Sequence, residues 1–198
     1  MLKVAKFLKT SELITPSSEA GTMSLWHGGN LDNLESFTTQ KKGRYEYGSG
    51  LYLTTHYGTA AKYSKGSRRL WLVTISKGND GKTANLNMEN VKTFVSNHIV
   101  KKKQPEILQR MEKYNKGGQI SFDIFNNILL NEDVLKPSET ENLRRFIVDN
   151  GIDYISVSNA FGWGETMIVL FNLKKIISKQ VIKPKDKIEI FDLPTDFN

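Results

Sequence analysis

A chain of 198 residues, 38% of them hydrophobic and with charges spread along its length, is long enough to bury a substantial core and is not globally disordered. The lack of cysteine excludes a disulfide framework and a thiolate metal site, and three imidazoles (His27, His56, His98) are too few to suggest a metal cluster, so no metal is expected. A net charge of +7 favours acidic partners: nucleic acid, an acidic protein surface or a phosphate-bearing cofactor.

In chain order, residues 1–13 set Leu2, Val4, Ala5, Phe7, Leu8 and Leu13 against Lys3, Lys6 and Lys9, a short amphipathic helix expected to pack on the domain. No apolar run approaches the ~20 residues of a membrane span, and the first residues lack the long apolar core of a signal peptide, so no membrane association and a cytoplasmic location are expected. Ser24–His27 and Leu51–Thr55 read as short strands. A helix is expected from Gly58 to Lys65, with Ala60 and Ala61 on its close-packed side and Gly66 as its stop. Leu70–Ser76 is the best strand by β-branched and aromatic content, and Gly78-Asn79-Asp80-Gly81 is a turn. From Met88 to Asn150 apolar residues recur at helical spacing. Within that block Ser138-Glu139-Thr140-Glu141 has the form of a capping box, and Asn150-Gly151 a stop. Strands resume at Asp153–Val157, Thr166–Asn172 and Lys187–Phe191, giving an α+β chain rather than βαβ repeats.

Three islands carry chemistry. Leu25-Trp26-His27-Gly28-Gly29 ends the first strand, and glycine beside histidine lets a ligand approach the backbone amide and carbonyl closely. Gly48-Ser49-Gly50-Leu51-Tyr52-Leu53-Thr54-Thr55 opens the second strand, and Ala60-Ala61-Lys62-Tyr63-Ser64 follows on a helix. That spacing allows Tyr52 and Tyr63 to form a slot for a flat heteroaromatic ring, where offset stacking adds roughly 0.5–1.5 kcal/mol beyond area burial. The Gly-x-Gly is no Rossmann fingerprint, because the third glycine is missing and a strand follows it. In the third island Glu165 stands between Phe161-Gly162-Trp163-Gly164 and an apolar strand, where a carboxylate costs free energy unless paired or used. Each island alone has a plainer reading: a tight turn, two core tyrosines, a half-buried histidine, a surface glutamate.

Taken together, His-Gly, Gly-x-Gly-aromatic-Tyr-x-Thr, Ala-Ala-x-Tyr-Ser and a Glu opening a late strand resemble the diphtheria-toxin-like ADP-ribosyltransferases, the His-Tyr-Glu branch that includes the poly-ADP-ribose polymerases. The resemblance covers the three islands and leaves Thr83–Asn150 outside. It implies one ADP-ribosyltransferase domain over residues 1–198, with a split, mixed sheet and a helical insertion at about 88–150 between the second and third motifs. It implies His27, Tyr52 and Glu165 as catalytic triad, and NAD as substrate held by His27, Gly28, Gly50, Tyr52, Thr54 and Tyr63. In that family the histidine bonds a ribose hydroxyl and the glycine backbone bonds the nicotinamide carboxamide. Glu165 would stabilise the positive charge that builds on the anomeric carbon as nicotinamide leaves.

Two departures narrow the activity. Ala60 stands where the polymerase branch has a serine, so chain elongation is not supported, and Trp163 stands two residues before Glu165 where arginine-modifying enzymes carry a second glutamate. The expected function is mono-ADP-ribosyl transfer to nucleic acid, RNA or single-stranded DNA, as a bacterial or phage toxin or host-takeover factor. Trp163 would stack an acceptor base, and Lys41, Lys42 and Arg44 would meet its phosphates. The alternatives are a protein side chain as acceptor, water as acceptor in an NAD glycohydrolase, and a catalytically dead binding module. The helical block would shape acceptor access or dock an antitoxin.

Overall fold

The structure, a computed structural model, describes residues 21–32, 47–64, 69–131, 134–160 and 164–182. The histidine motif lies on β1 (Thr22–Gly28), the tyrosine motif on β2 (Leu51–Thr54), and the Ala-Ala-Lys-Tyr run on α1 (Tyr57–Tyr63), which ends at Ser64. The apolar run Leu70–Ser76 is β3, and the turn after it leads through a 3-10 segment at Gly81–Thr83 into the short β4 (Asn85–Asn87).

Four helices follow where the periodicity places them: α2 (Met88–His98), α3 (Gln104–Glu112), α4 (Phe122–Asn131) and α5 (Thr140–Asp149). The Asn87 side chain caps α2 by accepting from the Glu89 and Asn90 amides, and Pro105 sits in the first turn of α3, where no helical hydrogen bond is lost. α5 starts one residue later than the Ser138–Glu141 box implies: its N-cap is Glu139, with no side-chain cap, and the Glu141 carboxylate bonds Arg144. A 3-10 turn at Pro137–Glu139 runs directly into the helix, and the Glu139 carboxylate accepts from His98 Nδ1 at 2.7 Å and Asn142 Nδ2 at 2.8 Å, which ties the start of α5 to the end of α2. Those two donors hold the Glu139 carboxyl below its ordinary pKa, Asn142 contributing first.

Between α3 and α4, β5 (Gln119–Ser121) pairs with β4 in a small two-stranded ribbon. The chain then returns to the main sheet with β6 (Tyr154–Ser158), β7 (Thr166–Leu170) and β8 (Ile176–Ile182). The sheet order is β6-β7-β2-β1-β3-β8, and every neighbouring pair is antiparallel. The described residues are thus α+β, but the split, mixed sheet implied by the resemblance is replaced by one six-stranded antiparallel sheet. β6 and β7 come back as adjacent antiparallel strands and add to the free side of β2, so no parallel crossover is needed.

Strand alternation divides the core. Leu25, Leu51, Leu53, Trp71, Val73 and Ile168 share one cluster, while Ile155, Met167 and Val169 point to the other face and pack with Val91, Phe94, Phe122, Phe125, Leu143 and Ile147 of the helices. The helical block therefore sits on the face that Tyr52 also faces. Among the described residues no helix is long and apolar enough to cross a membrane. The expected helix at residues 1–13 and strand at Lys187–Phe191 lie outside the described residues.

Candidate functional site

The three motif strands are neighbours: β1, β2 and β7 occupy consecutive places in the sheet. β1 is laddered along its whole length to β3, from Thr22↔Ser76 to Gly28↔Leu70, yet to β2 only through Trp26↔Thr54. The Gly29 amide bonds the Arg69 carbonyl at 3.1 Å, so by alternation the N–H and C=O of Gly28 point away from β3 and toward β2. There the expected partner, Tyr52, is not laddered to it. The Tyr52 carbonyl instead accepts from His27 Nδ1 at 2.8 Å.

That bond fixes the imidazole. A carbonyl only accepts, so Nδ1 carries the proton and Nε2 of the neutral ring is an acceptor. Burial lowers the His27 pKa, and the bond to the Tyr52 carbonyl opposes that shift only in part, so the neutral ring is the favoured form. Gly29 lies against Nε2 at φ +151°, and a Cβ there would fall 2.7 Å from that nitrogen.

Gly28 is where α1 meets the sheet. A Cβ on Gly28 would overlap the Ala60 carbonyl oxygen and lie 2.7 Å from the Ser64 nitrogen, so the helix backbone rests directly on this residue. The backbone of Tyr63, joined to Ser64, thereby lies near Gly28, and the residue is 65% exposed. Trp26 and Tyr57 brace the same helix edge to face, ring centroids 5.1 Å apart.

Tyr52 is half-buried, with its hydroxyl donating to the Gly48 carbonyl at 2.9 Å and accepting from the Tyr47 amide at 3.3 Å. The ring also packs against the helical cluster, so Tyr52 has a structural part in the Tyr47–Gly50 turn whatever else it does. α4 holds the same turn from the other side, through Asn126 Nδ2 to the Tyr47 carbonyl at 3.1 Å. Gly50 is required by β7: a Cβ there would sit 2.7 Å from the Leu170 carbonyl oxygen.

Glu165 is only 3% exposed, which removes the reading of a surface glutamate at a turn. Its Oε1 accepts from the Thr54 hydroxyl and its Oε2 from the Thr59 hydroxyl at 2.9 Å. Thr54 also accepts from the His56 amide at 3.0 Å, so its hydroxyl is committed to the carboxylate and the turn into α1. Sequence reasoning missed Thr59. The available signal was a hydroxyl residue in the first turn of the helix that follows a strand ending in Thr54-Thr55. Trp163, Lys41, Lys42 and Arg44, the candidate acceptor contacts, lie outside the described residues.

The structure thus places His27, Gly28, Tyr52 and the end of α1 at the end of the β1–β2 ladder, with the His27 and Tyr52 side chains on opposite faces of the sheet, and seats a hydroxyl-held carboxylate at the head of the next strand but one. Among the described residues no cluster of histidine, aspartate and glutamate could hold a metal ion. No family model matches the chain, and no curated protein matches it in sequence. One solved structure, a crystal structure of an anti-CRISPR protein, is similar with a TM-score of 0.38 and 12% identity over 82% of this chain and 97% of that one. That likeness is too slight to carry an activity across.

Proposed function

We propose that this protein is a mono-ADP-ribosyltransferase that cleaves NAD and passes its ADP-ribose to a nucleic-acid acceptor, on an antiparallel version of the ADP-ribosyltransferase core. The observation that carries the reading is the interrupted ladder between β1 and β2. The Gly28 N–H and C=O, which point toward β2 beyond the last laddered pair, would match the carboxamide of nicotinamide, which has one acceptor oxygen and a donor amide. His27 Nε2, an acceptor, suits a ribose hydroxyl, and Tyr63 at the rim is free in space to close over a flat ring.

In the reaction the bond between the anomeric carbon and the nicotinamide nitrogen breaks, and its electron pair leaves with neutral nicotinamide. Positive charge builds on the anomeric carbon, where the Glu165 carboxylate, bonded to the ribose 2′-hydroxyl, stabilises it. A lone pair of the acceptor then bonds that carbon, and the acceptor gives up its proton. The charge of +7 favours a polyanionic acceptor, and such an activity inside a cell is that of a toxin or host-takeover factor.

The test is incubation of the purified protein with labelled NAD and separate RNA, single-stranded DNA and protein pools. Label is expected in a nucleic-acid pool, with transfer falling steeply between ~50 and ~200 mM salt as phosphate contacts are screened. Glu165→Gln is expected to bind NAD within a few fold of the parent and to transfer at least ~10²-fold more slowly. Label confined to the protein pool, or release of free ADP-ribose alone, replaces the acceptor with a side chain or with water. An unchanged rate in Glu165→Gln removes the carboxylate from the chemistry.

A further inference from the structure

The structure assigns Thr59 as a positioning residue that sets the plane of the Glu165 carboxylate, and through it makes α1 part of the machinery; this rests on the transfer reaction proposed above. A carboxylate with 3% exposure needs donors, and Glu165 takes one hydroxyl on each oxygen, Thr54 from β2 and Thr59 from α1 at 2.9 Å. One donor leaves a carboxylate free to turn about its last torsion. Two donors from different elements, one per oxygen, fix it, and each oxygen keeps a lone pair for an incoming hydroxyl.

Thr59 is not there for the helix. α1 has no side-chain cap at His56 and no acidic residue in its first turn, and the Thr59 hydroxyl crosses to β7 instead of turning back on its own backbone. On the same helix, Ala60 rests on Gly28 and Tyr63 stands at the rim. One rigid element therefore sets the carboxylate, the peptide proposed for the carboxamide and the outer ring relative to one another. Among the described residues, Thr59 is the link in that set that touches the anion from α1.

Thr59→Val keeps the shape and removes the donor; Thr59→Ser keeps the donor and trims a methyl group. The expected result is a kcat for NAD cleavage about tenfold lower in Thr59→Val, with NAD affinity and KM within about threefold of the parent, and restoration to within about threefold in Thr59→Ser. Equal kcat in Thr59→Val and the parent overturns the assignment, as does a Thr59→Ser variant that falls as far as Thr59→Val. Crystal structures of both variants provide a reading independent of turnover: the carboxylate is expected to rotate in Thr59→Val and to superpose in Thr59→Ser. An unmoved carboxylate in Thr59→Val overturns the assignment even if the rate falls. A parent protein that neither binds nor cleaves NAD sinks the proposed function, while the two crystal structures still decide whether Thr59 holds Glu165.

Discussion

Gly28→Ala is the sharpest test of how the site is assembled. The added Cβ meets only backbone: it overlaps the Ala60 carbonyl oxygen and falls 2.7 Å from the Ser64 nitrogen and 2.9 Å from the Ala60 carbonyl carbon. No side-chain rotation relieves such a clash. Ordinary contact begins near 3.4 Å, so the Ser64 nitrogen alone requires α1 to retreat from β1 by about 0.7 Å, and the nearer Ala60 carbonyl oxygen requires more. Overpacking of this kind costs typically ~1–3 kcal/mol. For a chain of this size each kcal/mol lowers the unfolding midpoint by roughly 2–4 °C, so a drop of roughly 2–12 °C is expected in a thermal melt. The retreat has a second consequence. A Thr59–Glu165 bond of 2.9 Å, lengthened by a comparable amount, leaves hydrogen-bonding range, so NAD cleavage is expected to fall at least as far as in Thr59→Val. A variant that melts within 1 °C of the parent, or that melts low while cleaving NAD at the parental rate, refutes the coupling of Gly28, α1 and Glu165.

Tyr52→Phe separates the ring from its hydroxyl: losing the bonds to Gly48 and Tyr47 is expected to cost about 1 kcal/mol in urea unfolding while NAD affinity stays within a few fold, whereas Tyr52→Ala is expected to lose NAD binding as well. Normal NAD affinity in Tyr52→Ala reduces the ring to core packing. His27 makes stability pH-dependent, because burial holds its folded-state pKa below the unfolded value of about 6.5. In that window the unfolded chain binds the proton that the folded chain refuses, so the contribution is full above about pH 6.5 and is lost as pH falls through the folded pKa. His27→Asn, whose amide can replace Nδ1 as donor to the Tyr52 carbonyl, is expected to flatten this part of the stability curve; identical acid slopes in the two proteins contradict the buried neutral ring.

The fold was legible where side-chain pattern alone decides it. Leu70–Ser76 reads as a strand because its run of β-branched and aromatic residues fits a sheet buried on both faces, and α2 to α5 read as helices because Val91, Val95, Ile107, Met111, Phe125, Leu129, Leu143 and Ile147 repeat at helical spacing and are all buried. Partner choice was not legible. Asn85–Asn87 and Gln119–Ser121 are too short for a period to show, and they are strands only because each finds the other across two helices. Ile176–Ile182 is an edge strand whose outward residues alternate poorly, with Ser178, Lys179 and Gln180 in its middle and a register shift opposite Thr74 and Ile75. The Ser138–Glu141 box does not set the start of α5, whose N-cap is Glu139, and the Glu141 carboxylate that the local motif would have used bonds Arg144 instead.

The site was legible as a set of residue types and illegible as a geometry. The sequence pairs His27 with Tyr52 as two side chains of one pocket, but strand alternation sends them to opposite faces: His27 lies across from Trp71 on the side of Leu25, and Tyr52 packs toward the helices. What joins them is a side chain reaching a backbone, His27 Nδ1 to the Tyr52 carbonyl, and no motif encodes such a bond. It lies beyond the laddered pair Trp26↔Thr54. The Tyr52 carbonyl bonds the His27 ring, and the β1–β2 register consists of Trp26↔Thr54. Gly28 is a glycine because α1 rests on it, and it is laddered to Leu70 of β3 but not to β2. Two adjacent residues thus do separate work: the histidine ties its strand to the Tyr52 carbonyl beyond the last laddered pair, and the glycine lets a helix rest on the sheet. That division explains why the His-Gly pair, rather than either residue alone, is the informative unit of the first motif.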